Sequence, residues 1–517
     1  MPNQIGWRYC KKCQALFYSG SSSLGSCSAG GQHDPKGSWL YTLKFDELQN
    51  GQRGWKHCNK CHALNYSGSS LGVCPASGQH DYATSYEYTL AANVVGSGQN
   101  NWRYCKKCQG LAFSGFGTGA CPAKGSHDFT SSWDYSLDVT EPLTAKIAEI
   151  MKENSPDSYR FIVCNEDTVL GSGIGGFSRT AVDPPQMPTA LDDRLNIASM
   201  SKTITAAAVL SLLQAKNLLP DTRVMSFLPS DWILHQGLQT LTFEHLLTHR
   251  SGFHLEEKQN KETQKNEFIV NAKGVTADQD ASDYEGMKKL FAREPFFPVG
   301  STRSYRNVNF AIFRIILPYL NSYNRFTKEV TLKAGSKPAE TLANAYISIV
   351  NQRVLEPSGV VPAGCDSKTL KQSPAKPSLP VLLYEYQQPT KPGIDLGDST
   401  LYCGAAGWSL SVVDYAQFLQ TLFFTEIIMS EKNRALMMAI GVADGHGLGI
   451  NRDSPLAGSD VYSHGASIPI GNAQVAGWFL YFQASKLIVV ALSNAGHKPG
   501  AENWFDRVKQ SYTEVYG

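Results

Sequence analysis

Apolar residues recur with a helical period in two segments of the chain. In LTAKIAEIMKENSPDSYR, residues 143–160, apolar positions fall three and four residues apart, as on one face of an α-helix. A longer apolar run, TAAAVLSLLQAKNLL, follows Ser199 and stops at Pro220, a residue that cannot continue a helix. Both segments are predicted to be helices, and Ser199 is predicted to lie at the N-terminus of the second.

Shorter apolar runs predict strands. FIVCNEDTVLGSGIGG, residues 161–176, indicates a hairpin that turns at Asn165-Glu166-Asp167, and WFLYFQA and LIVVALSNAG indicate two final strands. The glycine-rich end of the hairpin matches G-x-G-x-x-G by letter. A dinucleotide site would need a helix to open there, whereas FSRTAVDPPQMP, with three prolines, follows. A nucleotide-binding function is therefore not predicted.

The length of 517 residues predicts two or three domains. A composition of 42% hydrophobic and 18% charged residues is sufficient for a large core. The net charge of +2 gives no reason to expect a nucleic-acid or anionic-membrane partner. The first residues, MPNQIGWRYC, lack the basic and apolar regions of a secretory signal, and no apolar run is long enough to span a membrane. We expect a soluble protein that is cytoplasmic by default, with unconventional secretion left open.

The front of the chain contains three copies of one unit. The copies begin WRYCKKCQALFYSG, WKHCNKCHALNYSG and WRYCKKCQGLAFSG, and Cys10, Cys58 and Cys105 mark a period of 47 or 48 residues. A period of this size is typical of a repeated supersecondary unit. The composition changes after the third copy. We therefore expect three small domains, at residues 1–47, 48–95 and 96–140, followed by one large domain at residues 142–517.

Each copy carries three cysteines and one histidine at metal-ligand spacing. The order is Cys-x2-Cys, a third cysteine 13 or 14 residues on, and a histidine six residues later. Three thiolates and an imidazole suit tetrahedral zinc and leave no open coordination position. Disulfides are the alternative, but three cysteines cannot pair within one copy. The predicted ligand sets are Cys10, Cys13, Cys27 and His33; Cys58, Cys61, Cys74 and His80; and Cys105, Cys108, Cys121 and His127.

The copies resemble zinc ribbons, in which a metal knuckle is followed by short aromatic strands such as YEYTL. Because each copy is small, structural zinc would supply folding free energy directly. An aromatic-Ser-Gly corner recurs at Tyr18, Tyr66 and Phe113. These rings are candidates for stacking on a glycan or a protein ligand, but packing within each copy is the favoured interpretation.

A catalytic helix is indicated by NIASMSKTITAAAVLSLL, residues 196–213. Lys202 lies three residues after Ser199, so both side chains share one helix face, whereas Ser201 would point elsewhere. A helix N-terminus favours an alkoxide and offers N–H groups to an oxyanion. Burial can lower the pKa of a lysine until it acts as a base. Ser199 is therefore the predicted nucleophile.

Further motifs follow in order along the chain. They are FEHLLTHRSG at 243–252, FFPVGSTRSYRNVNFAI at 296–312, GAAGWSLSVVDYAQFL at 404–419 and VYSHGAS at 461–467. Together with Ser-x-x-Lys, this order resembles the serine β-lactamase and penicillin-binding-protein superfamily, specifically its class C β-lactamase-like esterases, from about residue 142 to 517. The resemblance implies an α+β domain with an antiparallel sheet flanked by helices and a helical subdomain, and it implies no catalytic cofactor.

The resemblance also assigns roles to matching residues. Ser199 would be acylated, Lys202 would take its proton, and Tyr305 would be a phenolate-type base and the proton relay to the leaving group. Asn307 would hydrogen-bond Lys202 or the substrate. His464 stands where the family has the first residue of Lys-Thr-Gly or His-x-Gly. The backbone N–H groups of Ser199 and Ser467 would form the oxyanion hole.

The third motif departs from the family pattern. Ala466 replaces the expected glycine, which puts the alignment of Ser467 in question, and a histidine replaces the lysine that would attract a substrate carboxylate. Arg306 is a cation of unassigned role. We expect a serine hydrolase that acts on small carboxylic esters. The alternatives are a β-lactamase or D-amino peptidase, an acyltransferase, and a non-catalytic binding protein with a vestigial site.

Overall fold

The fold is taken from a computed structural model of the chain. It describes residues 3–21, 23–35, 38–45, 51–93, 98–140, 142–155, 157–259, 266–271, 275–276, 283–333, 335–367, 379–388, 390–439, 445–498 and 503–516. The chain divides into two compact units: Met1–Ile147 with Ser511–Gly517, and Ala148–Gln510. Within the described residues, no helix combines the length and apolar character needed to cross a membrane.

The first unit contains one nine-stranded antiparallel sheet, to which each sequence repeat contributes three strands. In each repeat the first strand pairs with both the second and the third. The predicted fold of small β-rich Cys/His repeats is confirmed. The strands are β1 (Asn3–Tyr9), β2 (Leu16–Tyr18), β3 (Leu40–Lys44), β4 (Gln52–His57), β5 (Leu64–Tyr66), β6 (Glu87–Ala92), β7 (Gln99–Tyr104), β8 (Leu111–Phe113) and β9 (Asp134–Thr140).

The three repeats close on one another in a ring. The backbone N–H of Tyr18 in the first repeat donates to His62 O in the second, over 2.9 Å. The equivalent N–H of the second repeat donates to the third, and that of the third donates back to Gln14 O in the first, over 2.9 Å. The ring accounts for the stability of copies that are each too small to bury a core alone.

One apolar core serves all three repeats. Its centre is a set of fully buried tryptophans, Trp7, Trp55 and Trp102. Each lies edge-on to a tyrosine of another repeat; Trp7 and Tyr88, for example, have ring centroids 5.2 Å apart. Edge-to-face pairs of this kind contribute more stabilising free energy than their buried area alone would give. The repeats therefore fold as one body.

The second unit is built around a seven-stranded antiparallel sheet of order β12-β11-β10-β23-β22-β21-β20. The hairpin predicted at 161–176 and the two predicted final strands are confirmed within it. The G-x-G-x-x-G run lies inside a strand, so no helix opens there. The strands are β10 (Ser158–Cys164), β11 (Val169–Arg179), β12 (Met187–Pro188), β20 (Asn451–Leu456), β21 (Ser459–Ile470), β22 (Ala473–Phe482) and β23 (Leu487–Ser493).

Shorter strands and the helices complete the chain. The remaining strands are β13 (Leu195–Asn196), β14 (His254–Gln259), β15 (Asn266–Asn271), β16 (Val275–Thr276), β17 (Tyr323–Asn324), β18 (Glu329–Val330) and β19 (Ser409–Leu410). The α-helices are α1 (Pro142–Asn154), α2 (Ser201–Lys216), α3 (Phe243–Leu247), α4 (Tyr284–Phe291), α5 (Val308–Ala311), α6 (Phe313–Ser322), α7 (Pro338–Val350), α8 (Val412–Phe424), α9 (Glu431–Ala439) and α10 (Trp504–Tyr516).

Helix α2 runs through the core of the second unit. Its residues from Ser201 to Leu213 are buried, which explains why the sequence there is apolar on nearly every face. The helix ends earlier than predicted, at Lys216, because Asn217 adopts a left-handed conformation with φ of 56°. Asparagine tolerates this conformation and ends helices in this way. The α+β architecture of the large domain is confirmed.

Candidate active site and metal centres

Ser199 lies in a tight turn at the entrance to α2. The turn is a single 3₁₀ segment, Ala198–Met200, placed directly before the helix. Ala198 has a φ of 46°, which is unfavourable for a residue other than glycine, and its N–H donates to Asn196 Oδ1 over 2.7 Å. Ser201 is fully buried, and its Oγ accepts a hydrogen bond from Trp408 N–H over 3.3 Å. The two serines thus face different surroundings, as the helical spacing predicts.

Lys202 is buried beneath Ser199. Its Nζ lies 3.0 Å from Ser199 Oγ, and it donates to Asn307 Oδ1 and to Ala405 O, each over 2.9 Å. No part of the side chain is exposed. Burial lowers the pKa of the Lys202 ammonium from 10.5, and the neighbouring Tyr305 hydroxyl acts in the opposite direction. The amine is therefore held close to the serine under conditions that favour its neutral form.

Tyr305 completes a triangle of hydrogen-bonding groups. Its hydroxyl donates to Ser199 Oγ over 2.9 Å, and Lys202 Nζ lies 5.0 Å from the centre of its ring. The Tyr305 side chain is 39% exposed, so the phenol is accessible from solvent. The structure brings together four predicted residues, Ser199, Lys202, Tyr305 and Asn307.

His464 lies on β21 beside this group. It is 6% exposed, and its Nδ1–H donates to Gly465 O over 2.8 Å, since a carbonyl can only accept. Burial, reinforced by nearby Lys202, lowers the pKa of His464 to about 3. The ring is therefore neutral at ordinary pH and does not replace the positive charge of a lysine.

Strand β20 pairs with the first part of β21. Among the described residues this pairing runs from Ser459 to Ser463. Ser467 lies beyond the part of β21 that pairs with β20, and it lines the same cavity as Ser199. Ala466 also lines the cavity and packs against the main core.

The cavity above Ser199 has a volume of about 620 Å³. Among the described residues, its walls include the aromatic side chains of Trp478, Trp504 and Phe505, which the sequence motifs did not indicate. Arg303 is a cation among the lining residues. Arg306 does not line this cavity, and its backbone N–H donates to His249 Nδ1. Of the two arginines, Arg303 and not Arg306 is therefore the one that brings a cation to this cavity.

The twelve predicted metal ligands form three separate clusters. In each cluster the four ligand atoms lie within 4.8 Å of one another, and all four residues are buried. Cys10 Sγ and Cys27 Sγ are 3.8 Å apart, and Cys13 Sγ and His33 Nδ1 are 3.5 Å apart. The other two clusters repeat these distances within 0.1 Å. None of the twelve cysteines, all of which lie among the described residues, is paired in a disulfide.

These distances fit a tetrahedral metal. Ligand bonds of about 2.3 Å to sulfur and about 2.0 Å to nitrogen place two sulfurs about 3.8 Å apart and a sulfur and a nitrogen about 3.5 Å apart. His33 also uses its second nitrogen, since Nε2 lies 3.1 Å from Cys61 O in the next repeat. Donation to that carbonyl leaves Nδ1 deprotonated for a metal. Each cluster thus offers a donor set that could hold zinc.

The aromatic corners of the repeats are packed. Tyr18 lies against Trp7 with ring centroids 5.5 Å apart, and Phe113 lies against Trp102 at 5.4 Å. A side chain on Gly20 would overlap the Tyr18 ring. These contacts support the packing interpretation over ligand stacking.

Comparison with known proteins agrees with this geometry. The family model for Beta-lactamase matches residues 143–512. A search of curated proteins finds no match. A penicillin-binding protein homologue from Pyrococcus abyssi superposes with a TM-score of 0.51 and 18% identity, over 72% of this chain and 76% of that one. FmtA from Staphylococcus aureus superposes with a TM-score of 0.50 and 13% identity, over 72% and 88%.

A third solved structure is EstCE1, described as a hydrolase with promiscuous acyltransferase activity. It has a TM-score of 0.50 and 17% identity, over 72% of this chain and 98% of that one. At such identities these likenesses show the shared fold alone. The family match covers well over half of the chain, and the chain therefore belongs to the beta-lactamase family of hydrolases.

Proposed function

We propose that the protein is a serine hydrolase that cleaves carboxylic esters through an acyl-enzyme on Ser199. The observation that carries the proposal is the triangle formed by Ser199 Oγ, Lys202 Nζ and Tyr305 Oη, with sides of 3.0 Å and 2.9 Å at the serine. A nucleophile within hydrogen-bonding distance of a base that is held by further groups is the arrangement that covalent catalysis requires.

The contacts of Lys202 support its role as the base. Asn307 Oδ1 and Ala405 O can only accept, so they occupy two N–H groups of a neutral amine. The lone pair of that amine is then available to the Ser199 hydroxyl. Ser199 Oγ attacks the ester carbonyl carbon while its proton passes to Lys202 Nζ. The backbone N–H groups of Ser199 and Ser467 serve the oxyanion.

Tyr305 completes the proton transfers. When the tetrahedral intermediate collapses, the carbon–oxygen bond of the ester breaks and the alcohol leaves with the Tyr305 proton. The phenolate recovers a proton from Lys202. Water then attacks the acyl-enzyme and its proton passes to the same pair of groups. The bond between the acyl carbon and Ser199 Oγ breaks, Ser199 Oγ takes up that proton, and the carboxylic acid leaves.

The neutral state of His464 supports esters over β-lactams. The pKa of His464 is lowered to about 3, so this position offers no cation to the carboxylate that β-lactams and peptidoglycan stem peptides carry. Arg303 is the specific observation that favours the second candidate, a β-lactamase or D-amino peptidase, because it brings positive charge to the same cavity.

A burst experiment separates these candidates. The full chain is mixed with p-nitrophenyl butyrate and, in parallel, with a chromogenic cephalosporin, and Ser199→Ala is the matched control. We expect a burst of one p-nitrophenol per chain and a kcat/KM for the ester at least about 100-fold above that for the cephalosporin, a difference of about 2.7 kcal/mol. Equal efficiency would favour the second candidate, and ester turnover by Ser199→Ala would overturn the proposal.

For the N-terminal unit we propose a structural zinc ion in each Cys3His cluster. The support is the match between the sulfur and nitrogen separations and a tetrahedral site without an open position. In this proposal the zinc ions stabilise the repeats, and ester cleavage takes place at Ser199.

A further inference from the structure

His249 is a buried histidine beside the proposed catalytic residues. It belongs to the FEHLLTHRSG motif and follows α3. The side chain is 6% exposed, and the backbone has a φ of 59°, an unfavourable value for a residue with a side chain. Its carbonyl accepts from Ser304 N–H over 2.8 Å, which holds the strained residue against the segment that precedes Tyr305.

The Nδ1 atom of His249 accepts two hydrogen bonds from residues that follow Tyr305. The backbone N–H of Arg306 donates to it over 3.2 Å. The side-chain amide nitrogen of Asn309 also lies 3.2 Å from Nδ1. A backbone N–H can only donate, so Nδ1 carries no proton and the ring is protonated on Nε2. Burial, together with the positive charges of Lys202 and Arg303, holds the pKa of His249 well below 6.5, so this acceptor persists.

The ring of His249 also supports the two aromatic residues that border Lys202. Its centroid lies 4.4 Å from that of Tyr305 and 5.1 Å from that of Phe310. Lys202 Nζ lies 5.0 Å and 5.9 Å from the same two rings. His249 thus contacts the Tyr305 ring on one side of the triangle, while no hydrogen bond links it to Ser199 among the described contacts.

We infer that His249 is a positioning residue, which holds the Tyr305–Asn309 turn so that the Tyr305 hydroxyl reaches Ser199. The inference rests on the proposed function, because it gives a role in that chemistry to a residue outside the Ser-Lys-Tyr group. A displacement of about 1 Å in a reacting group can lower a rate about 100-fold. His249 prevents such a displacement in two ways. Its Nδ1 accepts from Arg306 and Asn309, and its ring packs against the ring of Tyr305.

Two substitutions of His249 separate its acceptor from its ring. His249→Gly accommodates the left-handed backbone but removes both, and His249→Asn tolerates that backbone and restores an acceptor oxygen near the position of Nδ1. We expect His249→Gly to lower kcat for p-nitrophenyl butyrate about 100-fold with KM within about 3-fold of wild type. His249→Asn should recover at least about 10-fold of that loss.

Two further variants test whether the loss of kcat in His249→Gly reflects positioning of Tyr305 or only a loss of stability. His245→Asn is the matched control: this histidine lies on α3 and accepts from Thr242 N–H, and no contact with Tyr305 is found among its described contacts. It should lower Tm while leaving kcat within about 2-fold. Asn309→Ala removes one donor without altering residue 249, and it should lower kcat about 10-fold at unchanged KM.

The outcomes distinguish this inference from the proposed function. Loss of kcat in His249→Gly and Asn309→Ala, with partial recovery in His249→Asn, supports positioning. Wild-type kcat in Asn309→Ala, a loss expressed in KM, or equal loss in His249→Asn and His249→Gly overturns it. If Ser199→Ala retains turnover, the proposed function itself fails, whatever the His249 variants show.

Discussion

The hydroxyl of Tyr305 donates to Ser199 Oγ over 2.9 Å, although 106 positions separate the two residues in the chain. The contact joins the entrance of α2 to the turn before α5. Both sides are held independently: Asn196 Oδ1 fixes the backbone before the serine, and His249 Nδ1 fixes the backbone after the tyrosine. A hydroxyl placed in this way is ready to donate a proton without a rearrangement.

The first prediction concerns the choice between the two serines. Ser199→Ala should lower kcat by at least about 10⁴-fold, because the nucleophile is removed. Ser201→Ala should keep most of the activity and lose about 1 kcal/mol of stability, because Trp408 N–H loses its acceptor. Mass spectrometry after a fluorophosphonate probe should find the adduct on Ser199, and an adduct on Ser201 would contradict the assignment.

The second prediction concerns the Tyr305 hydroxyl. Tyr305→Phe keeps the ring against His249 but removes the proton donor, so kcat should fall about 100-fold to 1,000-fold while KM changes little. An ester with a better leaving group should suffer less, because its alkoxide needs less protonation. Comparison of p-nitrophenyl and ethyl esters measures this difference. An equal loss with both would count against a proton transfer to the leaving group.

The third prediction concerns pH and the stability of the large domain. The pKa of His464 is about 3 in the folded protein against 6.5 without burial, so between these values the unfolded chain binds a proton that the folded chain does not. The free energy of unfolding should therefore fall as the pH drops from about 6.5 towards about 3, by up to about 1.4 kcal/mol per pH unit from this group.

Urea unfolding at pH 7 and pH 5, followed by tryptophan fluorescence, measures the effect. His249 and His497 also have lowered pKa values and act in the same direction, so the wild-type loss exceeds that of one group. His464→Gln should reduce the difference between the two pH values. An unchanged difference in this variant would show that His464 is not the group responsible.

The fourth prediction concerns the metal clusters. Metal analysis should find three zinc ions per chain, since there are three complete ligand sets. Cys58→Ser should lose zinc at the second cluster. Chelation should then remove the other two ions in one transition, because the repeats are bonded to one another. His33 and Tyr18, for example, donate to the carbonyls of Cys61 and His62 in the second repeat.

The matched control for the metal experiment is Cys164→Ser. Cys164 is equally buried at 1% exposure but lies outside the clusters. This variant should keep three zinc ions per chain. Chelation of the wild type should leave fluorophosphonate labelling of Ser199 intact. Loss of labelling without a change in circular dichroism would mean that a metal takes part in catalysis.

Local patterns along the chain were sufficient for much of the fold. The helix predicted within 143–160, the 161–176 hairpin and the three metal clusters each depend on residues close together in sequence, and all are found. The helix ends earlier than predicted, at Asn154, and β10 begins at Ser158. The ring of repeats is different. It depends on bonds such as Tyr18 N–H to His62 O, between residues of different copies, and no local pattern encodes that pairing.

The site was predicted unevenly for a related reason. Ser199, Lys202 and Tyr305 belong to motifs with a regular spacing, whereas Trp504 and Phe505 reach the cavity from a C-terminal helix that carries no motif. His249 had a signal in FEHLLTHRSG, but its function depends on a left-handed backbone that the sequence does not reveal. Which residues line the cavity depends on tertiary packing, which local sequence patterns do not reveal.

The closed ring of repeats restricts how this part of the protein can evolve. Open arrays of repeats have two ends and gain or lose units readily, because each unit contacts only its neighbours along the line. Here the third repeat donates back to the first, so there is no end at which a unit can be added. A duplication or deletion of one copy would break the circle and leave strand edges and aromatic rings uncovered. The copy number of three is therefore tied to the closure of the ring.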